Sequence, residues 1–278
     1  MSGPQQMTIR QPAFLEGVGL HTGRAVRMAV KPGKPDSGFT FVRTDLAGSP
    51  EIKASVENIA QTVRCTTLGR GGEAEVQTVE HLLAALAGLG IDNAVIELNA
   101  PEVPVADGSA AAFVALLERA GMAPQQAPRR ILSLPEAVWI TGKDSHLVAL
   151  PADTFKVSFV FTNRHPAVGN QYAEFVLEPG NFKREIAPAR TIGFMHEIEA
   201  LQKQGLALGG NLDIAVVVGE EGYLSPPRFP DEIVRHKILD LIGDLAVLGP
   251  LHAHIIGLRS GHSLDALLAR KIQEVASG

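Results

Sequence analysis

Three polar residues in the stretch VRHKILDLIGDL, residues 234–245, fall on one side of a predicted helix. His236, Asp240 and Asp244 are four residues apart, and at roughly 100° per residue this spacing places them in one narrow stripe. A solvated helix face is the ordinary explanation for such a stripe. Mid-helix aspartate, however, costs about 0.5 kcal/mol relative to good helix formers, which favours a chemical role.

A second polar pair begins another predicted helix. In TVEHLLAALAGLG, Glu80 and His81 precede residues that are almost wholly apolar. The alternative is a first-turn glutamate favoured by the helix dipole beside a buried, hydrogen-bonded histidine. With His236 and Asp240, however, the chain has two imidazoles and one carboxylate, the ligand set of a catalytic zinc with an open fourth position. Glu80 would then be free to take a proton from a bound water.

Other histidines fall near the same predicted helices. His262 lies in the turn SGHSL before the last predicted helix, where Asp244 could bond its ring, keep it cationic and direct it at a developing oxyanion. His252 and His254 lie on one face of a predicted strand, and their spacing also suits a metal. We expect these two to be structural or to support the ligands.

The elements that position these groups occur twice along the chain. A helix, a strand, a turn and a second helix follow one another in both halves, with 28 residues from His81 to Ser109 and 27 from His236 to Ser263. This near-equality predicts a duplicated α+β domain. The small, polar, proline-bearing segment 121–130 is interpreted as the linker between the two copies.

The chain length agrees with two copies, because 278 residues suggest two domains of ordinary size. We expect a first domain over residues 1–126, which supplies Glu80 and His81. The second domain, over 127–278, supplies the other candidate groups.

The composition excludes several classes of protein. The net charge of −5 argues against a nucleic-acid-binding protein. No apolar leader or membrane span is evident, so we expect a cytoplasmic protein. Cys65 is the only cysteine, which leaves histidine and carboxylate to hold any metal; iron(II) would suit such a site as well as zinc.

Several long motifs, in order, resemble a known family. They are EGVGLHTGR at 16–24, TVEHLLAALAGLGIDNAVIELNAPEVPVADGSA at 78–110, ARTIGFMHEIEALQKQGLALGGNLDIAVVV at 189–218, and VRHKILDLIGDL followed by SGHSLDALLA. The chain resembles, over nearly its whole length, the zinc-dependent UDP-3-O-acyl-N-acetylglucosamine deacetylases of bacterial lipid A biosynthesis. The resemblance implies two α+β domains, each with helices layered against a mixed or antiparallel sheet and with the active site between them.

The resemblance also implies the roles of individual residues. One zinc ion per chain would be held by His81, His236 and Asp240. The implied catalytic groups are Glu80 as general base, His262 as second catalytic group with Asp244 beside it, and Thr191 as a donor to the oxyanion. Lys237 would contact the substrate phosphate, as a flexible cation beside a metal ligand can. His21 is expected to line the substrate cleft, although a structural loop histidine is the alternative.

An insert near residues 192–217 would form the passage for the acyl chain. Its candidate lining residues, for which ordinary core is the alternative, are Ile192, Ile198, Leu212, Ala215 and Val217. Relatives commonly carry Phe where this chain has Ile192, which affects packing against substrate.

The implied reaction is hydrolysis of the acetamide of UDP-3-O-[(R)-3-hydroxyacyl]-N-acetylglucosamine to acetate and a free amine, an early committed step of lipid A biosynthesis. We expect the protein to work as a monomer. One alternative is a zinc amidohydrolase acting on another acylated amino sugar. The other is a non-catalytic binding module whose metal is structural.

Overall fold

The computed structural model describes residues 4–69 and 74–277, with all side chains except those of residues 199 and 277. The first half contains β1 (Gln5–Ile9), β2 (Ala13–Val18), β3 (Ala25–Pro32), β4 (Phe39–Arg43), β5 (Glu51–Lys53), β6 (Ile59–Gln61), β7 (Thr67–Gly69), β8 (Glu75–Val76), α1 (Glu80–Gly88), β9 (Ala94–Leu98), α2 (Ala111–Ala120) and β10 (Met122–Pro128). The second contains β11 (Leu132–Ser133), β12 (Val138–Thr141), β13 (His146–Leu150), β14 (Phe155–Thr162), β15 (Asn170–Val176), α3 (Pro179–Asn181), β16 (Thr191–Phe194), α4 (Met195–Lys203), β17 (Ala215–Val218), α5 (Glu232–Leu245), β18 (Leu251–Leu258) and α6 (His262–Ser277).

The main sheets of the two halves have the same topology. The first has the order β2-β3-β9-β4-β5, and the second has β12-β13-β18-β14-β15 with β11 added beside β18. The third strand in each order pairs antiparallel with one neighbour and parallel with the other. Each of these strands is preceded and followed by a helix, so the α+β repeat predicted from the sequence is confirmed at the level of topology.

The helices join the two halves through one hydrophobic core. Helix α1 packs along α5, α5 lies on β14 and β15, and α6 lies on β12 and β13. Buried apolar residues from both halves belong to a single contiguous cluster. Contact between α1 and α5 brings together the two polar stretches identified in the sequence. Among the described residues, no helix is both long enough and apolar enough to cross a bilayer.

Ser109, which ends the first interval of the sequence repeat, lies just before helix α2. The helix begins at Ala111 and its N-cap is Ala110. The Ser109 hydroxyl still accepts a bond from the Ala111 backbone N–H (3.1 Å). Ser109, one residue before the N-cap, therefore accepts a bond from a backbone N–H of the first turn that has no partner within the helix.

The segment predicted as a linker is largely a strand. Residues Met122–Pro128 form β10, which pairs antiparallel with β1. Polar side chains hold it: Asn93 Nδ2 donates to Gln125 Oε1 (2.7 Å), and Gln125 Nε2 donates to the Gly33 carbonyl (2.9 Å). Because it is anchored by amides rather than by apolar side chains, its hydrophobic pattern gives no strand signal. The predicted domain boundary after residue 126 falls inside this strand.

Candidate active site

The three predicted metal ligands meet where α1 packs against α5. One ligand atom from each of His81, His236 and Asp240 lies within 4.8 Å of the other two, and all three residues are buried. Asp240 Oδ1 is 3.2 Å from His236 Nε2 and 3.5 Å from His81 Nε2. The imidazole rings meet edge to face with centroids 4.9 Å apart. The polar stripe of α5 is therefore buried, and the solvated-face alternative is wrong.

The surroundings of the cluster keep its donor atoms available. His236 Nδ1 donates to the Ala189 carbonyl oxygen (3.0 Å), which leaves Nε2 with a free lone pair. Burial lowers the pKa of His236 to about 3, so the ring is neutral. Burial opposes the charge of Asp240, but His236, Lys237 and His81 outweigh it and hold the pKa of this carboxyl well below its usual range. Two imidazoles and a carboxylate are a donor set that fits a divalent metal of the zinc class.

Glu80 lies beside the cluster without belonging to it. Its side chain is buried, and Oε2 accepts a bond from the Thr66 backbone N–H (3.0 Å). Burial raises the pKa of Glu80, while the neighbouring His262 and His81 pull the pKa down. A carboxylate with a raised pKa next to a candidate metal site suits a general base working near neutral pH.

The turn before α1 is strained. Thr78 has φ +57°, a left-handed conformation that a β-branched residue rarely adopts. Its hydroxyl donates to Glu102 Oε1 (2.9 Å), and the next backbone N–H, that of Val79, donates to the Thr66 carbonyl (3.3 Å). These bonds hold the chain at the point where Glu80 and His81 enter the site, which is where such strain is commonly found.

His262 forms a buried ion pair at the other side of the site. Its Nδ1 donates to Asp244 Oδ2 (2.7 Å), and the Thr66 hydroxyl donates to Asp244 Oδ1 (2.5 Å). Burial alone would lower the pKa of His262, but the charges of Asp244 and then Glu80 outweigh it and raise this pKa to about 10. The ring is therefore cationic at neutral pH, with Nε2 able to donate.

Thr191 is positioned by the residue before it. Arg190 Nε donates to Glu232 Oε1 (3.0 Å) in the first turn of α5, and the same carboxylate oxygen accepts the Arg190 backbone N–H (2.9 Å). The Thr191 backbone N–H donates to the Gly108 carbonyl (2.8 Å). This buried ion pair ties the start of β16 to the helix that carries His236 and Asp240.

A cavity of about 640 Å³ opens beside these groups. The predicted metal ligands, Glu80, His262, Thr191 and Lys237 all line it. The candidate acyl-passage residues line it as well: Ile192, Ile198, Leu212, Ala215 and Val217. Val217 is buried and Leu212 is half exposed, while Ile192 also packs against a small second core. Ile192 therefore lines the cavity and also contributes to the core, so both interpretations of this residue apply.

His21 faces the same cavity from the first half of the chain. It is buried, and neither ring nitrogen has a hydrogen-bond partner among the described residues. Glu102 fixes its loop by accepting the backbone N–H groups of His21 (2.9 Å) and Thr22 (2.8 Å). Burial lowers the pKa of His21 despite the nearby Glu102, so the ring is neutral. Its position matches the predicted cleft residue.

The remaining candidates lie elsewhere. His254 Nε2 is 2.7 Å from Ser158 Oγ, and His252 lines a second cavity of about 590 Å³ that lacks the candidate ligands. Burial raises the pKa of the Cys65 thiol to about 12, which makes it unreactive.

Sequence reasoning missed Thr66 and Glu102, which orient the catalytic candidates. The PEVP segment containing Glu102 lay within a motif already quoted, but only folding reveals its hydrogen bonds to residues 21, 22 and 78.

Comparison with known proteins agrees with this geometry. The family model described as LpxC, UDP-3-O-acyl N-acetylglycosamine deacetylase, matches residues 6–274. Similar proteins named UDP-3-O-acyl-N-acetylglucosamine deacetylase include one from Myxococcus xanthus (strain DK1622), 45% identical over 98% of this chain and 87% of its own length. Another from Nostoc sp. (strain PCC 7120 / SAG 25.82 / UTEX 2576) is 45% identical over 96% of this chain and 98% of its own. The chain therefore belongs to the UDP-3-O-acyl N-acetylglycosamine deacetylase family.

Proposed function

We propose that this protein hydrolyses the acetamide of UDP-3-O-[(R)-3-hydroxyacyl]-N-acetylglucosamine to acetate and the free amine, in a zinc-dependent reaction of lipid A biosynthesis. The observation that carries the proposal is the convergence of His81, His236 and Asp240 within 4.8 Å, beside Glu80 and on the wall of one cavity. Family membership supports the same reaction.

His81 Nε2, His236 Nε2 and Asp240 Oδ1 would hold the metal ion. When bound, Zn²⁺ would supply Lewis-acid polarisation of the acetamide oxygen and make a water molecule easier to deprotonate. Lys237 Nζ donates to Asp240 Oδ2 (2.7 Å), which leaves Oδ1 directed at the two histidines. An iron(II) ion would suit the same donor set.

Glu80 accepts the proton of the attacking water. It is adjacent to a ligand, its orientation is set by the Thr66 N–H, and its raised pKa matches the task. Attack at the carbonyl carbon forms a tetrahedral oxyanion. The hydroxyl of Thr191 and the cationic ring of His262 would stabilise this charge, since both residues line the cavity.

Collapse of the intermediate breaks the C–N bond and releases acetate, and the leaving nitrogen takes one proton. Glu80, protonated in the first step, and the His262 imidazolium are the two groups able to supply it. Transfer from Glu80 returns it to its starting carboxylate. Transfer from His262 leaves Glu80 protonated and His262 neutral, and proton exchange with solvent restores both after the products leave. In either case the acetic acid formed loses its proton to become acetate.

Substrate recognition is assigned to groups around the cavity. Lys237 uses one of its three N–H donors on Asp240, and the others remain for a substrate phosphate. His21 offers an unpaired neutral imidazole to a polar group of the sugar. The apolar residues contributed by the 192–217 insert, among them Ile198 and Val217, would contact the acyl chain. Ile192 presents a smaller side chain than Phe to that passage.

The experiment is an assay of acetate release from the proposed substrate with native, chelator-treated and zinc-reconstituted enzyme. We expect activity to disappear with the metal and to return with one equivalent. The variant Glu80→Gln should keep the metal and lose about 10²- to 10⁴-fold in kcat. Wild-type-like turnover in that variant would remove Glu80 from the mechanism. If every UDP sugar is rejected while another acylated amino sugar is hydrolysed, the substrate assignment is wrong.

We also infer two domains that share the site. The first, predicted over 1–126, supplies Glu80 and His81 and extends to the end of β10 at Pro128. The second, predicted over 127–278, supplies the remaining ligands and His262. The equivalent topologies of the two sheets support this division. A cytoplasmic monomer is the form we expect to act on a UDP-linked substrate. Sedimentation of the purified enzyme would test the monomeric state.

A further inference from the structure

One buried acid beside the site has no part in the proposed reaction. Asp265 lies in the first turn of α6 and is only 1% exposed. One of its carboxyl oxygens, one from Asp244 and a ring nitrogen of His262 all lie within 4.8 Å of one another. The Ser260 hydroxyl donates to Asp265 Oδ1 (2.8 Å), which fixes the orientation of the carboxyl group.

An ordinary first-turn aspartate does not explain this placement. Such residues gain from the helix dipole while remaining in water, whereas Asp265 is buried next to another carboxyl group. Two carboxylates so close are not both ionised without a large penalty, so one keeps its proton. Both carboxyl oxygens of Asp244 already accept a hydrogen bond, one from the hydroxyl of Thr66 and one from Nδ1 of His262. The proton therefore resides on Asp265.

The charges that face Asp265 agree with this assignment. Burial and then the charge of Asp244 raise the pKa of Asp265 to about 8, while His262 on its own helix and Lys237 on α5 act in the opposite direction. A neutral carboxyl group presents an O–H dipole to an adjacent carboxylate and adds no negative charge.

We propose that Asp265 is a positioning residue for His262, acting through Asp244 as a neutral polar neighbour that holds this carboxylate in place without competing for the imidazolium. The inference rests on the proposed function only in that His262 is taken to act on substrate. The Asp265–Asp244–His262 coupling is a property of the protein and is measurable without turnover.

The test compares Asp265→Asn with Asp265→Leu in the metal-loaded enzyme. Asn keeps the size and a polar N–H but cannot ionise, whereas Leu removes the dipole. The Nδ1–H proton of His262 is followed by ¹H NMR of ¹⁵N-labelled enzyme at pH 7, below the pKa of Asp265, because its chemical shift reports the hydrogen bond to Asp244. Its signal is assigned by loss in His262→Gln. We expect Asn to leave this chemical shift and kcat nearly as in wild type. Leu should move the chemical shift upfield, toward a weaker hydrogen bond, and lower kcat about tenfold, with little change in KM.

Leu268→Ala is the matched control, since Leu268 is fully buried one turn further along α6. It should lower the melting temperature without moving the chemical shift of the His262 Nδ1–H proton. The proposal is overturned if Asp265→Leu keeps the wild-type chemical shift at pH 7, or if Asn moves it as far as Leu does. Should the Leu variant fail to fold, Ser260→Ala is used instead, and an unchanged chemical shift there overturns the proposal. Absent acetate release by wild type would reject the proposed function, while the NMR measurement still decides the coupling.

Discussion

Gly243 lies directly against the backbone of Glu80. A Cβ atom built on Gly243 would be 2.0 Å from the Glu80 carbonyl oxygen and 2.7 Å from its carbonyl carbon. Gly243 is on α5 between Asp240 and Asp244, and Glu80 begins α1. The absence of a side chain at Gly243 therefore sets how closely the two helices that carry the proposed metal ligands approach.

Replacing Gly243 with Ala should separate the helices at the level of the metal ligands. We expect a loss of about 1–3 kcal/mol in the free energy of unfolding, typical of overpacking, together with weaker zinc binding. Denaturant unfolding and a competition assay with a chromophoric chelator measure the two effects. Ile242→Val is the control, because it destabilises the adjacent position without altering helix spacing. Zinc affinity equal to that of wild type in Gly243→Ala would contradict this reading.

Metal content should depend on three side chains and on no other histidine. Each of His81→Ala, His236→Ala and Asp240→Ala is expected to bind less than the one zinc equivalent of wild type, because each removes one of three protein ligands. Elemental analysis after dialysis gives the stoichiometry. His252→Ala, which alters the other cavity, should retain the full equivalent. Loss of zinc from His252→Ala with retention in His81→Ala would show the ligand set to be wrong.

The alkaline limb of the pH–rate profile should respond to Asp244. His262 has its pKa raised to about 10, chiefly because the charge of Asp244 outweighs the effect of burial. The active cation is therefore present below that pH and lost above it. In Asp244→Asn the supporting charge is gone and burial favours the neutral ring, so the limb of kcat/KM should move to lower pH. The control is Asp153→Asn, on the exposed surface, which should leave the alkaline limb of kcat/KM where it is in wild type. If the limb also stays in place in Asp244→Asn, His262 is not the group whose deprotonation causes it.

His21 should contribute to binding rather than to folding. Neither of its ring nitrogens has a partner in the described part of the chain, so His21→Phe breaks no internal side-chain hydrogen bond. We expect KM to rise about tenfold, equivalent to one hydrogen bond of roughly 1.4 kcal/mol, with a nearly unchanged melting temperature. The exposed His146→Ala serves as comparison. An unaltered KM in His21→Phe would assign the residue to loop structure alone.

Helix periodicity and residue chemistry predicted which candidate residues share a buried helix face. The spacing of His236 and Asp240 requires that they share a helix face, because the α-helical repeat is a local property. The adjacency of Glu80 and His81 to an apolar run likewise identified a buried helix start. The recurrence of helix, strand, turn and helix predicted the duplicated topology that the two sheets display.

Only the tertiary structure decided which chemical groups meet. Three sets of contacts join residues distant in sequence. They are the hydrogen bonds that Thr66 donates to Glu80 and Asp244, the bonds that Glu102 accepts from the His21 loop, and the proximity of Asp265 to Asp244. The strand β10 could not be predicted from the sequence for the same reason, since amide hydrogen bonds to other segments hold it in place. Local patterns report which face of an element is buried, whereas the partner of each buried polar group depends on how separate elements pack.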